Sequence, residues 1–179
     1  MQTNANVLPR QILDWVALLE RMDASERDGL RDHFLSLDAD DRRLRFGLPV
    51  GDEHIRRYVD AIDFDADVVF GVCSGTGSWL GIGHLSPAGA DAELGLSVLP
   101  DARGRGLGAA IFRFAVAQAS RDGASRLYMH CLTGNRAILS IARSAGMSIG
   151  SSGGESDAWL TVPAHAELVR LLIGEPTTA

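Results

Sequence analysis

The stretch AELGLSVLPDARGRGLGAAI (92–111) constrains the fold more than any other part of the chain. An apolar, alternating run reads as a strand and is stopped by Pro100. Three glycines then alternate at 104, 106 and 108, with Arg103 and Arg105 interleaved, and the run opens into an amphipathic helix reaching about Ser120. Leu107, Ala110, Ile111, Phe114 and Ala117 recur on one face of that helix. Glycine at a helix start is costly unless the backbone must come close to something. The first N–H groups of a helix have no partner within it, and together with the helix dipole they favour an anion. Two arginines add positive charge, so a diphosphate is the ligand that suits this turn.

The rest of the chain fits around that unit. DASERDGLRDHFLSL (23–37) and GDEHIRRYVDAI (51–62) read as helices, and DADDRRLRF (38–46) between them as a charged connection. WVALLERM (15–22) suits either a strand or a helix. DVVFGVCS (67–74), WLGIGHLS (79–86) and AELGLSVLP (92–100) are joined by turns and read as a three-strand meander. SRLYMHCL (125–132) is a further strand, NRAILSIARSAG (135–146) a helix stopped by Gly146, and 147–151 with 158–162 a final hairpin. PAHAELVRLLI (163–173) opens with proline, as helices often do. The order predicts an α/β (α+β) fold in which the strand–helix–strand crossover at 92–132 sets two strands parallel. One domain over 7–173 is expected, with 1–6 and 174–179 as loose tails.

Composition removes several classes of function. All 17 basic residues are arginine, so a Schiff-base lysine and a lysine-tipped phosphate loop are both impossible. The net charge of −6 argues against nucleic acid as a partner. No apolar run reaches the ~18 residues of a membrane span, and MQTNANVLPRQ does not read as a signal peptide, so a cytoplasmic location is expected. Cys73 and Cys131 lie in apolar strands and read as buried free thiols, with no metal site. The loose match Gly-x-Gly-x-x-Ala at 104–109 raises a nicotinamide oxidoreductase, but the next strand ends CLTGN, without the acid that would hold a ribose.

LSVLPDARGRGLGAAI resembles the acetyl-CoA signature of the GNAT N-acetyltransferases, through Arg103, Gly106 and Gly108. NRAILSIARSAGM (135–147) is similar to the family's second signature, an Asn-led helix ending in glycine and an apolar residue. LSLDADDRRLRF also looks like a segment of bacterial members related to protein-lysine acetyltransferase catalytic domains. The resemblance covers about 67–162 and implies a GNAT-like fold, a mostly antiparallel sheet whose two parallel strands splay apart. It implies acetyl-CoA as cosubstrate and a primary amine as acceptor, either a small molecule or a protein lysine. The amides of Arg103, Gly104, Arg105, Gly106, Leu107 and Gly108 would cradle the pyrophosphate. Leu96, Ser97 and Val98 would pair with the pantetheine arm, and the Val98 N–H would polarise the thioester carbonyl. Asn135 would either hydrogen-bond that arm or simply cap its helix.

A proton must leave the amine, and Glu93 is the expected base, with His130 second. Many relatives carry tyrosine seven residues after the asparagine, as acid for the leaving thiolate; this chain has Ala142 there. The competing expectation is an acyl-CoA-binding module without turnover. A homodimer is compatible with these readings.

Overall fold

In a computed structural model of the chain, residues 10–165 are described. The helix expected over 163–173 lies outside the described residues beyond His165, as do the tails expected at 1–6 and 174–179. Helix α1 spans Arg10–Val16, and a two-residue strand, β1 (Glu20–Arg21), follows it. The ambiguous stretch 15–22 thus divides between a helix end and a short edge strand. Asp23 and Glu26 form a reciprocal capping box at a 3₁₀ turn, which leads into α2 (Arg27–Leu35).

The segment read as a charged connection is instead a helix, α3 (Ala39–Phe46). Asp38 accepts from the Asp41 N–H at its start, and Gly47 ends it in the left-handed conformation. Helix α4 covers Asp52–Asp60. Strands β2 (Val68–Cys73), β3 (Trp79–Ala88) and β4 (Asp91–Val98) form the expected antiparallel meander. A 3₁₀ turn at Pro100–Ala102 precedes α5 (Leu107–Arg121). Then follow β5 (Arg126–Leu132), α6 (Arg136–Ser144) and the hairpin β6 (Ser148–Ser152) and β7 (Glu155–Thr161).

These strands make one sheet in the order β1-β2-β3-β4-β5-β7-β6. All neighbours are antiparallel except β4 and β5, which run parallel as the crossover requires. Each face carries its own core. On one, α5 and α6 cover Phe70, Leu94, Leu96, Leu127 and Met129. On the other, α2 and α4 bury Leu30, Phe34, Ile55 and Val59 against Val69, Trp79 and Ile82. The two faces follow from strand alternation: Leu94 and Leu96 point to the first, and Glu93, Gly95 and Ser97 to the second.

A polar pair ties α2 to the sheet within the second core. His33 is buried, its Nδ1 lies 2.8 Å from the Trp79 carbonyl, and its Nε2 lies 2.7 Å from Ser97 Oγ. The carbonyl can only accept, so Nδ1 carries the proton and Nε2 accepts from the serine. Desolvation pushes the imidazole down to about 4, against the Trp79 hydrogen bond and with help from the Arg45 charge. A neutral buried histidine makes the unfolded chain the stronger proton binder below its usual pKa of ~6.5. Stability should therefore fall as pH drops from about 6.5 toward 4, by roughly 2–3 kcal/mol between pH 7.5 and 4.5 from this group. Urea unfolding of the wild type and His33→Gln across that range measures it. The variant should be less stable at pH 7.5 and lose less stability on acidification.

Candidate active site

The parallel pairing of β4 with β5 lasts for only two residue pairs, Ala92 with Leu127 and Glu93 with Tyr128. Beyond them the strands diverge. On its other edge β4 stays paired to β3 as far as Val98, opposite Gly81. The Leu99 N–H donates to the Leu80 carbonyl at 2.9 Å, which fixes the alternation: odd-numbered residues of β4 bond to β3 and even-numbered ones face β5. The backbone groups of Leu96 and the N–H of Val98 therefore line the opening without a strand partner. Arg103 Nε donates to the Val98 carbonyl at 2.9 Å, so that oxygen is already engaged.

A cleft of about 480 Å³ fills the divergence. Its walls come from β4 (Leu96, Ser97, Val98), from the glycine turn and the start of α5, from α6 (Ile138, Ser140, Ile141), and from α3 together with Leu37. The first helical hydrogen bond of α5 runs from the Ala110 N–H to the Gly106 carbonyl, leaving the amides of 104–109 ahead of the helical ladder. Gly106 has φ +83°, a conformation that suits glycine. The turn thus presents unpaired amides at the mouth of a strand-edge groove, an arrangement that suits an anion.

The expected binding residues divide between cleft and surroundings. Leu96, Ser97, Val98, Arg103, Gly104, Gly106, Leu107, Gly108 and Asn135 all line the cleft. The expectation that amides from Arg103 onward form the cradle shifts by one residue, because the Arg103 N–H already donates to the Pro100 carbonyl at 3.1 Å. Its guanidinium also binds Asp41 of α3 at 2.6 Å. Arg105 points away from the cleft. Its guanidinium lies 5.3 Å from the Trp15 ring, and its carbonyl accepts from Trp15 Nε1 at 2.7 Å.

Of the two roles open to Asn135, the structure shows the cap. Its Oδ1 accepts from the Ile138 N–H at 3.2 Å, and its Nδ2 donates to the Leu44 carbonyl at 3.2 Å. The side chain is buried and ties α3 to the start of α6. Ala142 is wholly buried in the core beneath α6. The cleft-facing positions of that helix turn are Ser140 and Ile141, so position 142 is not on the cleft wall.

Glu93 and His130 are both exposed and do not line the cleft. They share the sheet face opposite α5, on neighbouring strands, with Tyr128 across from Glu93. His130 Nδ1 lies 2.6 Å from Asp157 Oδ1, and its Nε2 lies 3.8 Å from Glu155. The Asp157 hydrogen bond, aided by the charges of Asp157, Glu155 and Glu93, holds the imidazole above its ordinary pKa. Cys131 is buried and its thiol is pushed up by desolvation, as an inert core thiol should be.

The contribution of α3 went unforeseen: Asp41, Leu44 and Arg45 all line the cleft. The signal was present in the caps, Asp38 and Gly47, that bracket the segment. Gly95 of β4 lies directly under Arg45; a Cβ there would sit 2.6 Å from the guanidinium carbon.

A family model for the acetyltransferase (GNAT) domain matches residues 18–148. No curated protein matches the chain by sequence. Among solved structures, the GNAT domain of S. lividans PAT is similar at TM-score 0.69 and 18% identity, over 80% of this chain and 89% of that one. Spermidine N-acetyltransferase from Vibrio cholerae, solved with CoA and spermine, is similar at TM-score 0.65 and 14% identity, over 83% and 96%. The ribosomal-protein-S18-alanine N-acetyltransferase of Escherichia coli is similar at TM-score 0.61 and 14% identity, over 80% and 92%. At these identities the likeness is one of fold. Divergent parallel strands, the free-amide turn and the matched domain model lead to one conclusion: this chain belongs to the GNAT acetyltransferase family.

Proposed function

We propose that the chain moves an acetyl group from acetyl-CoA to a primary amine, of a small molecule or a protein lysine, by direct attack with both substrates bound. The observation that carries this reading is the unpaired Leu96–Val98 edge, continuous with the free amides of the glycine turn. The turn suits a pyrophosphate, and the strand edge suits the amides of a pantetheine arm. The unpaired Val98 N–H would polarise the thioester carbonyl as its oxygen gains charge. Acetyl-CoA supplies the activated acyl group; the chain's part is to hold it, orient the amine and take up a proton.

An amine of lysine-like pKa is cationic at pH 7, and making it neutral costs roughly 4.6 kcal/mol. Glu93 is the proposed base, acting across the acceptor face through water, since its carboxylate stands outside the cleft. His130 is less suited to the role, because its carboxylate neighbours favour the protonated ring. Solved relatives of this fold include enzymes named for spermidine and for ribosomal-protein alanine, so the fold is compatible with unlike amines. One observation favours a second reading, an acyl-CoA-binding module: neither Glu93 nor His130 lines the cleft. Thiol release from acetyl-CoA across a panel of amines separates the two.

Gly108→Val tests the cofactor path. The added side chain starts 3.1 Å from Ile141 Cδ1 and about 4 Å from Val98 and Leu96, in the throat of the cleft. Calorimetry should show acetyl-CoA binding lost in a folded variant; unchanged affinity would remove the turn from the site. Glu93→Gln should lower kcat by roughly 10²–10⁴-fold with acetyl-CoA affinity nearly intact. Full activity in Glu93→Gln, with loss in His130→Ala, would reverse the two roles.

A further inference from the structure

Two guanidinium groups line the cleft, and they differ in what satisfies them. Arg103 is neutralised by Asp41. Arg45 has no carboxylate within salt-bridge distance among the described residues. Its Nη2 donates to Tyr58 Oη at 2.8 Å, its Nε is buried without a partner, and its Nη1 has no protein acceptor among the described residues. Three rings surround the cation: Phe46 at 5.1 Å, Phe34 at 5.4 Å and Tyr58 at 5.5 Å.

The neighbouring polar groups hold the guanidinium in place and leave it charged. Tyr58 Oη accepts from Arg45 and donates a hydrogen bond to His84 Nδ1 at 2.6 Å. His84 Nε2 lies 3.2 Å from Asp67 Oδ2 but out of line for a hydrogen bond. His33 and His84 are both biased to the neutral form, chiefly by desolvation and further by Arg45 itself. Gly95 leaves the space that the guanidinium occupies over β4. A fixed cation with free donors, walled by flat rings, matches a carboxylate in shape and charge.

Its position says which end of the cleft it serves. The side chains of Leu96 and Val98 and the start of α5 are on one face of the sheet, with the glycine turn. Arg45 is on the other, with Ser97 and Glu93. We propose that Arg45 is a receptor for a substrate carboxylate at the acyl-transfer end of the cleft, carried either by the amine acceptor or by the acyl group. The proposal rests on the acetyltransferase reading above and narrows its substrates. In the first case the acceptor is an amino-carboxylic acid; in the second the donor is a dicarboxylic acyl-CoA.

Two arms of one experiment distinguish the sources. The first compares kcat/KM for L-amino acids and their amides with acetyl-CoA. The second compares succinyl-CoA and butyryl-CoA with one amine. Wild type should prefer the carboxylate in one arm by roughly 10- to 100-fold, the worth of a charge-assisted hydrogen bond. Arg45→Met should lose that preference and Arg45→Lys should keep part of it. An unchanged preference in a folded Arg45→Met, or none in either arm, overturns the proposal. A readout free of turnover uses ¹⁵N-arginine-labelled wild type without CoA. The Arg45 Nε–H signal should move with N-acetylglycine or succinate and stay still with their amides; no movement with either acid also overturns it. Acetyl-CoA affinity, measured by calorimetry, tests the underlying acetyltransferase reading separately.

Discussion

Everything in the site depends on β4 and β5 ceasing to pair after Glu93 and Tyr128. A parallel pair in the middle of a sheet normally continues, because an unpaired backbone group away from water costs free energy. Here the separation is held open from both faces. On one, Ile138 and Ile141 of α6 and Leu107 of α5 line the opening. On the other, α3 crosses the gap, with its Leu44 carbonyl bound to Asn135 and its Asp41 bound to Arg103. Asn135 therefore serves the site through architecture. By capping α6 and holding α3 at once, it joins the two walls that face each other across the opening.

Charge is arranged along the same line. The amides of the turn are at one end, on the α5 side. The carboxylates of Glu93, Glu155 and Asp157 are exposed on the opposite sheet face, beside His130. Between them the cleft walls are mainly apolar. The local charge favours an anion at the first end and a cation on the second face. Arg45 interrupts that pattern: it places a positive charge on the face where the carboxylates lie.

The elements read best from sequence were those whose local chemistry is unambiguous. The meander has alternating apolar residues and glycine-rich turns, and the helix after the glycines has a regular apolar face. Segment 38–46 was harder, because α3 has only Leu44 and Phe46 as large apolar residues to mark a period. Its caps were the better evidence. Strand β1 has two exposed residues and exists because Glu20 and Arg21 pair with Gly71 and Phe70; nothing local encodes that. Within the site, the glycine turn and the Leu96–Val98 edge were legible because one short segment holds both. The setting of Arg45 was not, since it is made by Phe34, Tyr58 and Gly95, residues far apart in the chain that only the fold assembles.

The indole of Trp15 gives α1, none of whose residues lines the cleft, a part in the glycine turn. By accepting from Trp15 Nε1, the Arg105 carbonyl is drawn outward, away from the turn's interior. A peptide group is planar, so an outward carbonyl turns the N–H on the far side of the same unit, that of Gly106, in the opposite direction. Stacking of the Arg105 side chain on the same ring holds that plane from a second point. The matched domain begins at residue 18. A lever on the orientation of one amide in its glycine turn thus belongs to a helix that ends before the shared domain starts.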